Sequence, residues 1–316
     1  MSILVAARII CGGGLVIFPT ETVYGIGADA TNIEAVEKIF VTKNRPSHNP
    51  LIIHCYDLNH ALIIGDFSDI AIRIAKELWP GPLSLVVRLK NNIIAPNAMA
   101  NLSTVCIRVP KHPLAHDLIK LSGKYIAAPS ANVSNYISPT QYQHVVSAFP
   151  DIYAIDGGQC LFGLESTILD VSTEQIKILR HGFITSNTIQ NILDRYRIKL
   201  CENIENEFIV NRAPGALNKH YAPYAKIRIN ACTIRQNEVG LNFGNSRLAH
   251  DGSLNLSISG DLIEASANLY LMLRLLDDAI ASSNSLDTIA VAAIPNIGIG
   301  VAINDRLKRA GYNEKI

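Results

Sequence analysis

The chain has 316 residues, 48% of them hydrophobic and 17% charged, with a net charge of +1. That is ample apolar material for buried cores, it excludes a disordered chain, and at roughly 150 residues per domain it suggests two domains. No run of ~18 apolar residues escapes a charge or turn signal, the six cysteines form no CxxC pair, and the charge balance demands no nucleic acid; a spanning helix, a zinc site and tight nucleic-acid binding are not expected.

Met1 to Val5 lacks the basic region of a signal peptide, and the scattered thiols fit a reduced, cytoplasmic setting. Leu15 to Phe18 reads as a buried strand ending at Pro19. Ile33, Val36, Ile39 and Phe40 share a helical face that Thr31 or Asn32 caps. Leu51 to His54 is a second strand, and Phe67, Ile70, Ile74 and Leu78 repeat at helical spacing. Ser84–Leu89 and Thr104–Val109 are strand-like, and Pro113 suits the first position of a helix through Leu121. Ile126–Ala128 is a short strand, Ser138-Pro139 opens a helix through Phe149, and Thr167–Val171 and Ile176–Leu179 are strands. Residues 200–225 lose this rhythm and read as an extended linker. Beyond it, strands are expected at Lys226–Asn230, Leu254–Ser259 and Asp287–Ile294. Helices are expected at Glu264–Ile280 and Val301–Ala310, the last ending at Gly311. The organisation is an α/β domain over residues 1–199, a linker or lid over 200–225, and a small α/β domain over 226–316.

There is no GxxxxGK[ST] loop, GxSxG elbow or HExxH helix, and Gly12-Gly13-Gly14 precedes a strand rather than linking strand to helix. Four segments instead concentrate polar chemistry at strand ends, where open α/β sheets place ligands. Pro19 to Gly25 carries Thr22. Lys43 to Pro50 holds Lys43, Arg45 and Asn49 in a proline-stiffened loop, with His54 on the next strand. Ala127 to Asn132 presents Ala128 and Ser130 with Ser138 downstream, and Thr104 and Arg108 share one strand face upstream. Gly163 to Thr167 presents Ser166, and Arg180-His181-Gly182 follows a strand later. A helix C-terminus would account for Lys43, a core histidine for His54 and a rim salt bridge for Arg108. Together the cations suit a polyphosphate and a carboxylate, with no evident nucleophile–base pair. The residues by themselves point to a nucleotide or phosphate enzyme.

The same segments resemble the YrdC-type threonylcarbamoyl-AMP synthase family in its long form. The matching stretches are PTETVYG at 19–25, KNRPSHNPL at 43–51, LWPGPLSLV at 78–86, AAPSANVS at 127–134, GLEST at 163–167, RHG at 180–182 and APGALNKHYAP at 213–223. The resemblance implies a twisted mixed sheet with helices around a concave cavity, plus a smaller Rossmann-like C-terminal domain. It implies an L-threonylcarbamoyladenylate synthase using L-threonine, bicarbonate and ATP with Mg2+, no resident metal, no membrane and no stable nucleic-acid binding. A separate transferase would carry the product to tRNA. Carried over by position, Thr22, His54, Arg108, Ala128 and Ser166 contact threonine. Arg45, Asn49, Thr104, Ser130, Ser138 and Arg180 contact ATP, with Lys43 beside them; Lys43 and Arg45 carry the catalytic charge, and His220 and Tyr221 close over the nucleotide. The chain departs from the family at Asn44 and Asn135, where glycine is usual, and at His181, where proline is. Readings as a hydrogenase-maturation carbamoyl-transfer domain, an RNA-binding module or a threonine sensor rank lower, since no acylphosphatase-like segment, zinc fingers or basic excess is visible.

Overall fold

The computed structural model describes residues 2–201 and 220–312. Ten strands build the larger unit: β1 (Val16–Phe18), β2 (Gly25–Asp29), β3 (Ile52–His54), β4 (Gly65–Asp66), β5 (Leu83–Leu89), β6 (Thr104–Arg108), β7 (Ile126–Ala127), β8 (Tyr153–Ala154), β9 (Thr167–Asp170) and β10 (Lys177–Arg180). They form one mixed sheet in the order β10-β9-β5-β6-β3-β7-β2-β1-β8, with β4 paired to β5. Its helices are α1 (Ile3–Cys11), α2 (Ile33–Lys43), α3 (Leu58–Ile64), α4 (Asp69–Leu78), α5 (Pro113–Ser122), α6 (Tyr142–Ala148) and α7 (Ser186–Asp194).

Period-two alternation splits the strand residues between two faces. Ile53, Leu85, Val87, Val105, Ile107 and Leu169 point to the main core, which α2, α4 and α7 cover. On the other face, α1 and α5 pack Ala7, Ile10, Leu118 and Ile119 over Val16, Phe18, Ile126, Ala128 and Ile155. The rest of that face carries a small apolar floor of Ile52, Val86, Cys106, Ile168 and Leu179. His54 and Arg108, being even-numbered neighbours of these floor residues, stand on this side. The polar loops at the strand ends rise around the floor and make a hollow.

The smaller unit has four parallel strands, β11 (Lys226–Arg228), β12 (Glu238–Asn242), β13 (Leu254–Asn255) and β14 (Thr288–Val291), in the order β11-β14-β12-β13. Its helices are α8 (Leu262–Ala281) and α9 (Gly300–Ala310). Its core is continuous with the larger unit, because Val23, Ile137 and Leu164 pack among Leu269, Leu273 and Ile303. Asp277 of α8 accepts the Tyr136 hydroxyl at 2.8 Å and the backbone N–H groups of Tyr224 and Ala225 at 3.2 and 2.8 Å, so one carboxylate anchors the linker's end to both units.

Several local expectations hold. Asn32 caps α2 and Pro113 opens α5. Asn44 and Asn135 both adopt left-handed backbone (φ 50° and 67°), the conformation asparagine tolerates best after glycine, so their departure from the family pattern leaves the turns intact. Other expectations fail. The α6 helix starts at Tyr142, and Ser138 bonds Glu165 instead of opening a helix. Strand β13 spans two residues, not six. Helices α1, α3 and α7 and strands β2, β4, β8 and β12 were not read from the sequence. In α1 the apolar residues run nearly all round, which hides a helical stripe; in β2 and β12 glycines interrupt the alternation. No described helix is long and apolar enough to cross a membrane.

The two units meet most closely at Gly163 (φ +67°), where an added Cβ would stand 2.4 Å from the Ser266 carbonyl oxygen of α8. Gly158 has a similar backbone (φ +71°) with open space around it. Both alanine variants meet the left-handed penalty of about 1 kcal/mol, but only Gly163→Ala must also push α8 away. Gly163→Ala is therefore expected to lower the thermal midpoint at least twice as far as Gly158→Ala, as read by calorimetry. Equal shifts would mean that the close approach at Gly163 is not maintained in solution.

Candidate active site

The hollow is lined by Thr20, Thr22, Val23, Tyr24, Gly25, Arg45, Ile52, His54, Arg108, Ala128, Pro129, Ser130, Glu165, Ser166, Arg180, His220 and Tyr221. Ten residues selected from the sequence thus line one space: Thr22, Arg45, His54, Arg108, Ala128, Ser130, Ser166, Arg180, His220 and Tyr221. Lys43, Asn49, Thr104 and Ser138 do not line it. Of the proposed linker or lid at 200–225, residues 200–201 and 220–225 are described, and residues 202–219 lie outside the described residues.

Arg108 ends β6 and is almost fully buried. Its Nη2 donates to Glu21 at 2.7 Å, its Nη1 to Thr22 Oγ1 at 2.9 Å, and its Nε to the Gly81 carbonyl at 3.3 Å. Glu21 is thus the standing partner of Arg108, a role the sequence reading did not assign. Of the five guanidinium N–H groups, one on each terminal nitrogen remains for a ligand. His54, opposite Arg108 in the β3–β6 register, sets Nδ1 3.3 Å from the Ile126 carbonyl. Burial, reinforced by the Arg108 charge, drives its pKa down to about 3. It is neutral at working pH, and donation from Nδ1 leaves Nε2 as an acceptor.

Arg45 lies just beyond α2, its Nε and Nη2 donating to the Asn49 and Pro50 carbonyls at 3.3 and 3.1 Å. Desolvation, together with repulsion from Arg180, lowers its pKa to about 10, against the pull of Tyr221. Lys43 is 1% exposed, and its ammonium donates to the carbonyls of Ser130 (2.7 Å) and Asn132. Burial and then Arg45 hold its pKa well below the usual lysine value. The structure therefore places Lys43 behind the 130–134 loop, where it shapes the loop instead of facing the hollow. Asn49 is buried near Arg45 with its Oδ1 unpartnered. Thr104 shares the face of Arg108 but sits at the opposite end of β6, across from Arg88.

The GLEST and RHG segments cross tightly. Gly182 lies against the backbone of 165–167, where a Cβ would stand 2.4 Å from the Glu165 carbonyl oxygen. This crossing lets Arg180 donate Nε to the Ser166 carbonyl and Nη2 to the Ser166 hydroxyl, both at 3.0 Å. Ser166 also shares a 2.8 Å bond with Ser84. Burial alone would raise the Glu165 carboxyl, but Arg306, Arg180 and Ser138 outweigh it and hold its pKa at about 2. Glu165 accepts from Ser138 at 2.6 Å, Tyr270 at 3.0 Å and Arg306 at 2.9 Å. Ser138 therefore acts on the site through Glu165. Tyr270 and Arg306 escaped the sequence reading because they lie more than a hundred residues away and carry no local motif.

His220 and Tyr221 are buried in the hollow, their rings 4.0 Å apart. Desolvation, with help from Arg45, Lys43 and Arg306 and against Glu165, lowers the His220 pKa to about 3. The Arg306 guanidinium stacks 4.9 Å from the Tyr221 ring centre. With these rings in place the free space is tight, about 50 Å³. Among the described residues no group of three His, Cys, Asp or Glu side chains is placed to hold a metal ion. No hydroxyl of the hollow bonds a histidine among the described contacts, so the arrangement binds and aligns anions instead of generating a serine nucleophile.

A family model described as "Telomere recombination", for the Sua5, YciO and YrdC proteins, matches residues 8–182. A second, described as "Threonylcarbamoyl-AMP synthase, C-terminal domain", matches residues 184–311. The chain is 35% identical over 326 residues to the threonylcarbamoyl-AMP synthase of Bacillus subtilis (strain 168), covering 96% of this chain and 91% of the relative. It is 34% identical over 333 residues to that of Pyrococcus abyssi (strain GE5 / Orsay), covering 98% and 94%. The crystal structure of P. abyssi Sua5 complexed with L-threonine superposes with a TM-score of 0.86 at 32% identity, covering 98% of this chain and 94% of that one. On both its domains and nearly its whole length, the chain belongs to the Sua5/YrdC family of threonylcarbamoyl-AMP synthases.

Proposed function

We propose that the chain is a threonylcarbamoyl-AMP synthase that binds L-threonine and Mg-ATP side by side in this hollow and joins them through bicarbonate. The observation that carries the reading is the convergence of Arg45, Arg108 and Arg180 on one buried space beside a neutral histidine. The threonine seen with the P. abyssi relative supports it.

The charge pattern divides the hollow. Around Arg108 the Glu21 carboxylate balances the guanidinium, and His54 is neutral. Such a near-balanced end suits a zwitterion. The threonine carboxylate takes the two remaining N–H groups of Arg108, and the amine or hydroxyl meets acceptors such as Thr22 and His54 Nε2. Arg45 and Arg180, close enough to depress the Arg45 pKa, make the other end more positive and suit the triphosphate. Mg2+ arrives on the phosphate oxygens as part of the substrate. The threonine nitrogen attacks bicarbonate, giving a carbamate with loss of water. A carbamate oxygen then attacks the α-phosphorus, and the bond to pyrophosphate breaks. Both steps bring anions together, so neutralisation and alignment are the protein's main contribution. A nucleoside triphosphate needs far more room than the hollow now offers, so His220 and Tyr221 must shift to admit it. The carbamoyl-adenylate would serve a separate tRNA-modifying transferase, and the small net charge supports a division in which this chain does not itself hold RNA.

Incubation with Mg-ATP, bicarbonate and labelled threonine is expected to yield labelled adenylate and pyrophosphate, and omitting either threonine or bicarbonate is expected to abolish both. Pyrophosphate release that ignores threonine would exclude this function. Arg45→Ala removes a cation bonded only to carbonyls, so it leaves no buried carboxylate unpaired. It is expected to cut adenylate formation about a hundredfold with little change in thermal midpoint. Near-normal turnover would remove Arg45 from the site. Arg108→Ala is a poorer test, because it strands Glu21.

The neutral histidines make stability pH-dependent. The folded pKa of His54 lies at about 3, below its unfolded value, so the unfolded chain takes up a proton first as pH falls. Stability is complete above the unfolded pKa and declines from about pH 6.5 toward 3, by about 1.4 kcal/mol per unit for such a group. His54→Gln is expected to flatten the decline by about that slope between about pH 6 and 4 in denaturant titrations. Parallel curves for the two proteins would show that His54 is protonated in the folded state.

A further inference from the structure

The largest fully buried side chain among the described residues, Arg306, belongs to the C-terminal unit yet touches three segments of the hollow. It is 1% exposed on α9. Its Nε donates to Glu165 at 2.9 Å, its Nη2 to the His181 carbonyl at 2.8 Å, and its Nη1 to Asp305 at 2.6 Å. Its guanidinium plane also carries the Tyr221 ring. Glu165 directly precedes Ser166, and His181 directly follows Arg180. A single guanidinium thus grips the outer ends of the two segments whose inner residues, Ser166 and Arg180, bond each other inside the hollow. Tyr270 of α8 and Ser138 complete the shell on Glu165.

A buried Arg–Glu pair gives up hydration on both sides, and apolar residues of similar volume often hold a fold equally well. Stability alone is therefore a weak reason for this arrangement. Geometry is a stronger one. Only a planar fork reaches a carboxylate and a carbonyl on different segments at once while stacking on a ring; a lysine ammonium at the same place holds one of them.

We propose that Arg306 is a positioning residue for the phosphate end of the site: through Glu165 and the His181 carbonyl it sets where Arg180 and Ser166 stand, and so couples the C-terminal unit to nucleotide use. This rests on the synthase reading above. Displacement of Arg180 by even about 1 Å suffices for a large kinetic loss. The threonine end is tied instead to Glu21, Gly81 and Ile126, none of which Arg306 touches.

The test uses the full chain and three variants. The double variant Glu165→Gln/Arg306→Met removes both charges together and leaves no unpaired ion. Arg306→Lys keeps the charge and loses the fork. Tyr270→Phe removes only one hydroxyl from Glu165 and guards against misfolding of the others. Steady-state KM and kcat are measured for ATP and for threonine, and ATP and threonine binding are measured separately by calorimetry. The expected result is that the double variant raises the KM for ATP or lowers kcat about tenfold or more, with threonine affinity within about twofold of wild type. Arg306→Lys is expected to fall between the two, and Tyr270→Phe to show a smaller loss of the same ATP-selective kind. Wild-type kinetics in a folded double variant, or equal losses of ATP and threonine affinity in whichever variants fold, would overturn the proposal. Failure of the synthase reading is distinguishable, because the unmodified chain would then release no threonine-dependent pyrophosphate.

Discussion

Crowding like charges into a space with little water is the constraint from which the rest of the site follows. At low dielectric, neighbouring cations repel far more strongly than in solution. Burial first, and the neighbouring cations second, disfavour the charged forms of the groups that titrate: the pKa of His54 and of His220 falls to about 3, and that of Lys43 well below its usual value. The guanidiniums hold their charge and must be met by something else. Glu21 meets Arg108, and Glu165 meets Arg306. Arg45 meets carbonyl dipoles of Asn49 and Pro50. Dipoles offset a charge only in part, so an incoming polyanion completes the electrostatics of the hollow instead of competing with them.

This view also explains why two apparently similar arginines differ. Arg108 sits in the plane of the sheet with a carboxylate already bonded, which leaves its surroundings near neutrality. Arg180 ends β10, where the pairing with β9 is irregular and the chain then crosses residues 165–167, a crossing made possible by the missing Cβ at Gly182. The first is fixed by a strand register, His54 against Arg108. The second stands at an irregular strand end that runs straight into a loop, and such an end needs outside support to hold a geometry to within a fraction of an ångström.

The parts of the protein legible in its sequence are those with local causes. The strand-like runs 84–89 and 104–109 predicted both strands to within a residue, and the spacing of Thr104 and Arg108 put the two on one face. Caps at Asn32 and Pro113 located helix starts. Segments with chemistry at strand ends, such as 127–132 and 163–167, proved to surround one hollow. The illegible parts have non-local causes. Nothing near Glu21 marks it as the partner of Arg108, since the two are 87 residues apart. Lys43 reads as a solvent-facing or phosphate-facing cation from its neighbours, yet the carbonyls of Ser130 and Asn132 claim it. The Thr185 cap and the Ile189, Ile192, Leu193 stripe of α7 are local signals of the legible kind.

The C-terminal unit illustrates the same difference at the scale of domains. Position in the chain suggested a separate small domain, and its parallel sheet agrees with that. Its core nevertheless incorporates Val23, Ile137 and Leu164, residues adjoining the very loops that carry Thr22, Ser138 and Glu165. Apolar contact of this kind fixes the distance between the units but is indifferent to small sliding movements, because dispersion and burial are non-directional. Hydrogen bonds are directional, and several that cross the boundary end on groups of the site or beside it: Tyr270 and Arg306 on Glu165, and Arg306 on the His181 carbonyl. The apolar contacts hold the units together while the polar ones set their register, and that register determines where the loops bearing Ser166 and Arg180 come to rest.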